Sequence, residues 1–152
     1  MTSLTRRATC LAALLFVMTA PVLASDQTDF LAKNLKQPGW KATASGLQYH
    51  VLKAHDGPWP WYPERGVVTV NYEGRLIDGT VFDSSWKRGE PASFPLAHVI
   101  KGWQEAIPMM RVGEVWEFAI PADLAYGDRR TGPIPPGSTL LFKVELLGTK
   151  SE

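Results

Sequence analysis

Ten consecutive residues, Leu76 to Ser85, carry the pattern that bears most directly on chemistry. Asp78-Gly79 lies between apolar flanks, and glycine supplies the positive φ that a tight hairpin turn requires. The returning strand then places the ring of Phe82 next to the carboxylate of Asp83. Taken alone, Asp83 is interpreted as a helix or turn cap. The segment is therefore predicted to be a hairpin that presents a ring and a carboxylate side by side.

Four further blocks follow this hairpin in a fixed order. They are Val99-Ile100-Lys101-Gly102-Trp103, Leu124-Ala125-Tyr126-Gly127, Ile134-Pro135-Pro136 and Leu141-Phe142-Lys143-Val144-Glu145-Leu146. In this order and spacing the blocks resemble an FKBP-type peptidyl-prolyl cis-trans isomerase. The resemblance extends from about Gly46 to Gly148 and so covers most of the chain.

The resemblance implies a pocket for a prolyl ring. Trp103 would form its floor, Tyr126 would offer a hydroxyl to a substrate carbonyl, and Asp83 would be the ionised group at its edge. Asp83 would be hydrogen-bonded by Tyr72 and Arg88, since a charge beside an apolar cavity must be paired. The remaining substrate-binding residues implied in this way are Tyr72, Phe82, Val99, Ile100 and Phe142 in the walls, and Ile134 at the rim.

Such a pocket would need neither metal nor cofactor. Rotation about an X-Pro bond breaks amide resonance, with a barrier of about 18–20 kcal/mol, and makes no covalent bond. The planar amide is more dipolar than the twisted one, so an apolar cavity favours the twisted state. Each difference of about 1.4 kcal/mol changes the rate about tenfold. The three ring methylenes of proline would add roughly 2.4 kcal/mol of binding on burial.

Pattern alone gives some of these residues a plainer interpretation. Phe82, Val99, Ile100 and Phe142 could each be ordinary core residues. Trp103 is harder to explain in that way, because the preceding Gly102 permits a close approach.

The sequence also departs from the family pattern near the predicted pocket. Ala92 stands where many relatives carry an aromatic residue, which predicts a more open wall. Arg129 and Arg130 lie in a loop on the expected rim, where they would favour acidic residues beside the proline or only solubilise the loop.

Other chemistries find little support in the sequence. His50, His55 and His98 are scattered without the spacing of metal ligands, and His98 is expected to be an exposed loop residue. The chain contains no nucleophile elbow and no phosphate-binding loop. The main alternative is a chaperone-like module that holds proline-containing or unfolded segments with little turnover.

Residues 1–24 are predicted to be a secretory signal peptide. Arg6 and Arg7 precede a short apolar run from Leu11 to Met18, and Val22-Leu23-Ala24 forms a cleavage site of the expected kind. The run is shorter than the roughly 20 residues needed to span a bilayer. We therefore expect export to the periplasm or the exterior without stable membrane association.

The rest of the chain suffices for one ordinary domain. Cys10, the only cysteine, lies within the predicted signal, so the mature protein would have no disulfide. Two of the 16 basic residues also lie there, which leaves the mature chain close to neutral against its 15 acidic residues. This balance gives no electrostatic reason to expect nucleic acid as a partner. The expected partners are proline-containing or unfolded polypeptides, with macrolide inhibitors as a further possibility.

The predicted architecture is α+β. Residues 25–45 form a short N-terminal segment with a helix over Asp26–Lys36, too short for a dimerisation arm, so a monomer is expected. The isomerase domain spans residues 46–149. Alternating apolar residues predict antiparallel strands, and helical character in this region is confined to Val99–Ile107. The resemblance supplies the topology of about five twisted strands wrapped around one short helix.

The loop that contains Trp59, Trp61 and Tyr62 has no clear counterpart in this pattern. Its prolines stiffen it, and three large rings cannot all be buried in so short a stretch. The loop would either contact an unfolded client or fold its rings back over the sheet edge, and the second interpretation is favoured. A structural or interaction domain that uses this loop is the third candidate function.

Overall fold

The computed structural model describes residues 24–60 and 66–151. Its α-helices are α1 (Ala24–Asn34), α2 (Ser85–Arg88) and α3 (Lys101–Ala106). Its strands are β1 (Trp40–Ala42), β2 (Gln48–Lys53), β3 (Gly66–Leu76), β4 (Val81–Ser84), β5 (Ala92–Pro95), β6 (Val115–Ile120) and β7 (Leu140–Ser151). Short 3₁₀ turns at Leu96–His98, Ile107–Met109 and Ala122–Leu124 connect several of them.

The described strands form one antiparallel sheet of seven strands in the order β1-β2-β6-β7-β3-β4, with β5 also paired to β3. The α+β prediction is confirmed. The two strands beyond the expected five are β1 and β5, which have only 3 and 4 residues. Runs this short carry too few alternations to be recognised in the sequence unless a turn signal marks them, as Asp78-Gly79 does for the equally short β4.

Strand β3 follows the predicted period-two pattern. Val68, Val70 and Tyr72 are buried, while the residues between them are partly exposed. The strand turns at Asp78-Gly79, where Gly79 has φ of 89° and the Asp78 carboxylate accepts the Thr80 N–H at 2.8 Å. The predicted hairpin from β3 to β4 is therefore confirmed.

Helix α3 packs against one face of this sheet and completes the hydrophobic core. It begins two residues later than predicted, because Ile100 is the extended residue that precedes the first turn, with ψ of 151°. Val99 is also extended, with ψ of 170°. These two residues therefore lead into the helix from the cavity side rather than forming part of it. The buried apolar residues around α3 include Leu47, Ile107, Met110, Phe118, Ile120, Leu140, Val144 and Leu146.

Helix α1 lies close to its predicted position and is fixed to the sheet by buried side chains. The Asn34 amide donates to Gln48 Oε1 at 2.9 Å, and Gln48 Nε2 donates to the carbonyl of Leu31 at 2.9 Å. At the other end of the helix, Gln27 Oε1 accepts the Thr139 N–H at 2.8 Å. We refer to Gln27, Leu31, Asn34, Gln48 and Thr139 as the docking surface of α1.

The loop after β2 keeps Trp59 in solvent. Its ring is 60% exposed and carries the Arg111 guanidinium 4.4 Å from its centroid. Folding back, the favoured interpretation, is therefore wrong for Trp59. Trp61 and Tyr62 lie outside the described residues, as does the predicted signal peptide apart from Ala24. Within the described ranges, no helix has the length and apolar character that crossing a membrane requires.

Candidate active site

A cavity of about 260 Å³ opens between helix α3 and the face of the sheet that α3 covers. This volume is slightly below the lower bound of about 300 Å³ for drug-sized ligand pockets, and it suits one small ring with its flanking amides. The described side chains that line it are Tyr72, Phe82, Asp83, Phe94, His98, Val99, Ile100, Trp103, Tyr126 and Phe142.

Trp103 forms the base of the cavity and is only 4% exposed. Its indole meets the rings of Tyr72, Phe94 and Phe142 nearly edge-on, at centroid distances of 5.4, 5.9 and 5.2 Å. Edge-to-face contacts of this kind add about 0.5–1.5 kcal/mol each beyond area burial. The aromatic cluster therefore fixes the orientation of the indole.

The indole N–H of Trp103 is buried and has no hydrogen-bond partner among the described residues. Leaving a buried donor unpaired costs about 1–3 kcal/mol. The base of the cavity consequently offers aromatic surface rather than a satisfied polar network.

Two glycines permit the close packing around the cavity. A Cβ on Gly102 would lie 2.5 Å from Ile120 Cγ2, so the glycine lets α3 approach β6. A Cβ on Gly74 would lie 2.5 Å from Phe82 Cζ and 2.7 Å from Phe142 Cε1. The two phenyl rings that form a wall of the cavity therefore occupy the space above Gly74, and they meet each other edge-on at 5.7 Å.

Asp83 is the only acidic residue among the described residues that line the cavity. The Tyr72 hydroxyl donates to its Oδ2, and Arg88 Nη1 donates to its Oδ1. Arg88 Nη2 also donates to the Tyr72 hydroxyl at 3.2 Å. The three side chains thus form a closed triangle, in which the charge of Asp83 is compensated at the edge of the apolar hollow.

Local sequence places Arg88 for this role. Ser84 caps α2 by accepting the Lys87 N–H at 3.3 Å, and the single turn that follows brings Arg88 back beside Asp83. Gly89 ends the turn in the left-handed conformation, with φ of 79°. The predicted pairing of Asp83 with Tyr72 and Arg88 matches this geometry.

Burial and the hydrogen bonds of this triangle shift the pKa values of Asp83 and Tyr72 in opposite directions. Burial alone would raise the pKa of Asp83, but hydrogen bonds from Tyr72 and Arg88 and the charge of Arg88 outweigh it and lower this pKa below 3.8. Burial raises the pKa of Tyr72 above 10.0, and the hydrogen bond to Asp83 raises it further. At neutral pH the phenol therefore remains a donor and the carboxylate an acceptor.

Tyr126 stands at the mouth of the cavity with 38% of its surface exposed. The loop behind it is held by backbone hydrogen bonds from Gly127 N–H to the Ala122 carbonyl and from Gly137 N–H to the Gly127 carbonyl, both 2.8 Å. Its hydroxyl can therefore meet a bound peptide without a rearrangement of the loop.

The structure brings together eight of the ten predicted site residues in the cavity lining. Arg88 stands behind this lining, bound to Asp83. Ile134, expected at the rim, is instead 4% exposed and packs into the hydrophobic core, while its backbone pairs with Thr131. Ile134 is therefore not among the described residues that line the cavity.

Phe94 and His98 line the cavity but were missed in the sequence. Phe94 lies on β5, and its ring centroid is 5.8 Å from that of Tyr72. Phe94 therefore closes the wall that Ala92 was expected to leave open. Its position two residues after Ala92, on the same face of an extended segment, is the signal that could have identified it. His98 is exposed as predicted, yet it directly precedes Val99 and shares the cavity mouth with it.

No group of three or more His, Cys, Asp or Glu side chains within residues 24–60 and 66–151 is arranged to hold a metal ion. The cavity combines an aromatic base, apolar walls, one carboxylate whose charge is compensated, and one exposed phenol.

Comparison with known proteins agrees with this geometry. The family described as FKBP-type peptidyl-prolyl cis-trans isomerase matches residues 62–147, which is more than half of the chain. The chain belongs to this family. A second family, the domain amino-terminal to FKBP-type isomerases, matches residues 19–51 and so includes α1, β1 and part of β2.

Individual FKBP-type proteins support the same assignment. The peptidyl-prolyl cis-trans isomerase Mip of Coxiella burnetii is 54% identical over 81% of this chain and 53% of its own length. The crystal structure of FkpA from Escherichia coli superposes with a TM-score of 0.78 at 42% identity, covering 84% of this chain and 59% of that one. A peptidyl-prolyl cis-trans isomerase from Pseudomonas syringae gives a TM-score of 0.77 at 37% identity, covering 87% and 98%. The chain described in this structure spans about half the length of the curated relatives it matches.

Proposed function

We propose that this chain is a peptidyl-prolyl cis-trans isomerase that accelerates rotation about X-Pro bonds in folding proteins. The observation that carries the proposal is the apolar cavity that remains open above the buried indole of Trp103. A pyrrolidine ring placed there would exchange water for aromatic surface. Since the twisted amide is less dipolar than the planar one, that exchange favours the transition state.

The polar groups of the site would act at its edge. Trp103, Asp83 and Tyr126 are the proposed catalytic residues: Trp103 supports the ring, Tyr126 donates to a flanking carbonyl, and Asp83 biases the field around the twisting bond. The proposed substrate-binding residues are Tyr72, Phe82, Arg88, Val99, Ile100 and Phe142. Ile134 is omitted from this set because it packs in the core.

The experiment is a refolding assay on a denatured protein whose slow phase is limited by X-Pro isomerisation. The chain should accelerate that phase at catalytic concentration, and a rapamycin-type macrolide should suppress the acceleration. Tyr126→Phe should reduce it, whereas Tyr49→Phe, which alters a ring stacked on Trp116 outside the cavity lining, should not. An unchanged slow phase with folded protein would refute the proposal.

A chaperone-like activity is the second candidate, and one observation favours it. Trp59 is 60% exposed, and the Arg111 guanidinium lies over one face of its ring. Arg111 Nη1 also donates to the Gly57 carbonyl at 3.4 Å. An exposed aromatic ring offers apolar surface that an unfolded chain can bury. Trp59→Ser should then weaken suppression of aggregation while leaving isomerisation of a short peptide unchanged.

We further propose that residues 1–24 are a cleaved signal peptide, that residues 25–45 form an N-terminal segment, and that residues 46–149 form the isomerase domain. Export to the periplasm or the exterior follows from the signal pattern of Arg6, Arg7 and the apolar run. The proposed clients are proline-containing polypeptides, and the proposed oligomeric state is a monomer. N-terminal sequencing of exported protein should begin at Ser25, and detection of residue 1 in that fraction would contradict cleavage.

A further inference from the structure

His98 is the one basic side chain among the described residues that line the cavity. It ends the 3₁₀ turn Leu96–His98 and directly precedes Val99 in the wall. Its side chain is exposed, and the ring makes no hydrogen bond or ion pair to another described residue. The imidazole is therefore free to meet whatever enters the cavity.

The backbone that carries His98 is held in place from α3. Gln104 Nε2 donates to the carbonyl of Ala97 at 3.3 Å and to the carbonyl of Val99 at 2.7 Å. These two carbonyls flank His98 on either side. The backbone at His98 is thus fixed relative to Trp103, which lies on the same helix, while its side chain remains unpaired.

The other charged groups at the cavity compensate one another. Strand β4 contributes Asp83, whose charge is matched by Arg88 from α2. Strand β3 and the loop after the 3₁₀ turn Ala122–Leu124 contribute the phenols of Tyr72 and Tyr126, and β5 contributes only Phe94. Lys101 on α3 is exposed and is not part of the lining. Arg129 and Arg130, in the loop expected at the rim, are also exposed and are not part of the lining. Among the described lining residues, the uncompensated charge therefore depends on whether His98 carries a proton.

We propose that His98 is a specificity-determining residue that contacts the client residue next to the proline and favours an acidic side chain there when the imidazole is protonated. This inference rests on the proposed isomerase function of the same cavity. Histidine is the residue type that ordinarily changes charge between about pH 5 and 8. The preference for acid-flanked proline should accordingly strengthen as the pH falls through this range.

The size of the effect follows from the exposure of His98. Pairs of exposed charges contribute about 0.2–1 kcal/mol, which corresponds to a change in kcat/KM of up to about fivefold. The ratio of kcat/KM for a Glu-flanked peptide to that for its Gln-flanked twin should therefore rise about two- to fivefold between about pH 8 and pH 5.5. Using the ratio cancels any effect of pH on the cavity itself.

The experiment measures this ratio on the purified chain by exchange spectroscopy, with Glu or Gln placed either before or after the proline. His98→Gln should abolish the pH dependence of the ratio, and His98→Lys should keep the ratio high at every pH. Lys101→Gln, which removes a neighbouring charge outside the lining, and His55→Gln, which removes a histidine bonded to the Val112 carbonyl, should both retain the pH dependence.

A pH-independent ratio in the wild type, or the same pH dependence in His98→Gln, would overturn the role of His98. Because the Gln-flanked peptide reports isomerisation alone, its rate separates this outcome from failure of the proposed function. Loss of acceleration with that peptide would overturn the isomerase proposal and not merely the specificity proposal.

Discussion

The cavity and the docking surface of α1 lie on opposite faces of the same sheet, and different kinds of interaction stabilise them. Phe142 and its register partner Phe118 face α3, whereas the next row, Leu141, Ala119 and Gln48, faces the other way. The cavity is built from aromatic rings in edge-to-face contact. The docking of α1 depends on a few hydrogen bonds between amides, which include the buried pair Asn34 and Gln48.

Because of this difference, the cavity should be more sensitive to added volume, and the docking surface of α1 should be more sensitive to lost hydrogen bonds. Close-packed rings cannot accommodate an additional methyl group without moving. A buried amide pair instead depends on both partners, because removal of one leaves the other unsatisfied. Substitutions of each kind should therefore separate the two regions.

The largest effect is expected from Gly74→Ala. The new Cβ would lie less than 3.0 Å from the rings of both Phe82 and Phe142, so the wall of the cavity must shift. We expect a loss of about 3 kcal/mol in the free energy of unfolding, at the upper end of typical overpacking costs, together with a marked fall in kcat/KM.

Gly148→Ala is the matched control, because it also places a methyl group on a glycine of the sheet but meets no atom within 4 Å. It should leave activity unchanged and should not destabilise, since glycine within a strand is about 0.5–1 kcal/mol less stable than alanine. Equal losses in both variants, measured by urea denaturation, would show that the wall is not close-packed.

An intermediate effect is expected from Asn34→Ala at the docking surface. Gln48 Oε1 would lose its donor while still buried, although Gln48 Nε2 would keep its bond to the Leu31 carbonyl, and this should cost about 1–2 kcal/mol. The kcat/KM for a short X-Pro peptide should remain unchanged, because Asn34 is not part of the cavity lining.

Gln37→Ala, at an exposed position whose amide reaches Asn34 at 3.4 Å, should change stability by less than about 0.5 kcal/mol. A loss of isomerase activity in Asn34→Ala that exceeds its loss of folded protein would mean that the two faces of the sheet are coupled.

The smallest effect concerns the pH dependence conferred by Asp83. Its pKa in the folded state lies below the ordinary value of 3.8, so the ionised pair stabilises the fold above that value and is lost as the pH falls through the lowered pKa. Because the side chain is 41% exposed, the contribution should be less than about 1 kcal/mol.

Wild type and Asp83→Asn should therefore differ most in their free energies of unfolding near neutral pH and converge below about pH 3.8. Asp123→Asn, which alters an exposed carboxylate on the 3₁₀ turn Ala122–Leu124, should match the wild type throughout. A difference between wild type and Asp83→Asn that grows on acidification would have the wrong sign for the proposed pairing.

The cavity was more predictable from sequence than the docking surface, and the reason is physical. Asp78-Gly79 predicts the turn, and the alternation in β3 predicts which of its side chains are buried. The resemblance to FKBP-type isomerases then implies that Tyr72, Phe82 and Asp83 share one pocket. No comparable pattern exists for Asn34 and Gln48, because a buried hydrogen bond between two amides leaves no periodic signal. Their contact could be found only once the strands were in register.

Two errors at the cavity have equally local causes. Ile134 lies between prolines in a loop, and the sequence gives no period from which to judge whether such a residue faces the cavity or the core. His98 was recognised as exposed, but its contribution to the cavity depends on how Gln104 holds the turn beside it. These hydrogen bonds join residues only five and seven positions apart, but a bond from a side chain to a carbonyl leaves no periodic signal in the sequence.

The central claim is that the space above Trp103 is where the X-Pro bond rotates. The most direct measurement is exchange spectroscopy of a short X-Pro peptide with Val99→Phe, in which an added ring fills the cavity, beside Ala97→Phe, which adds the same ring at an exposed position outside the lining. We predict that Val99→Phe abolishes the acceleration while remaining folded, and that Ala97→Phe retains it. Full acceleration by a folded Val99→Phe variant would contradict the account.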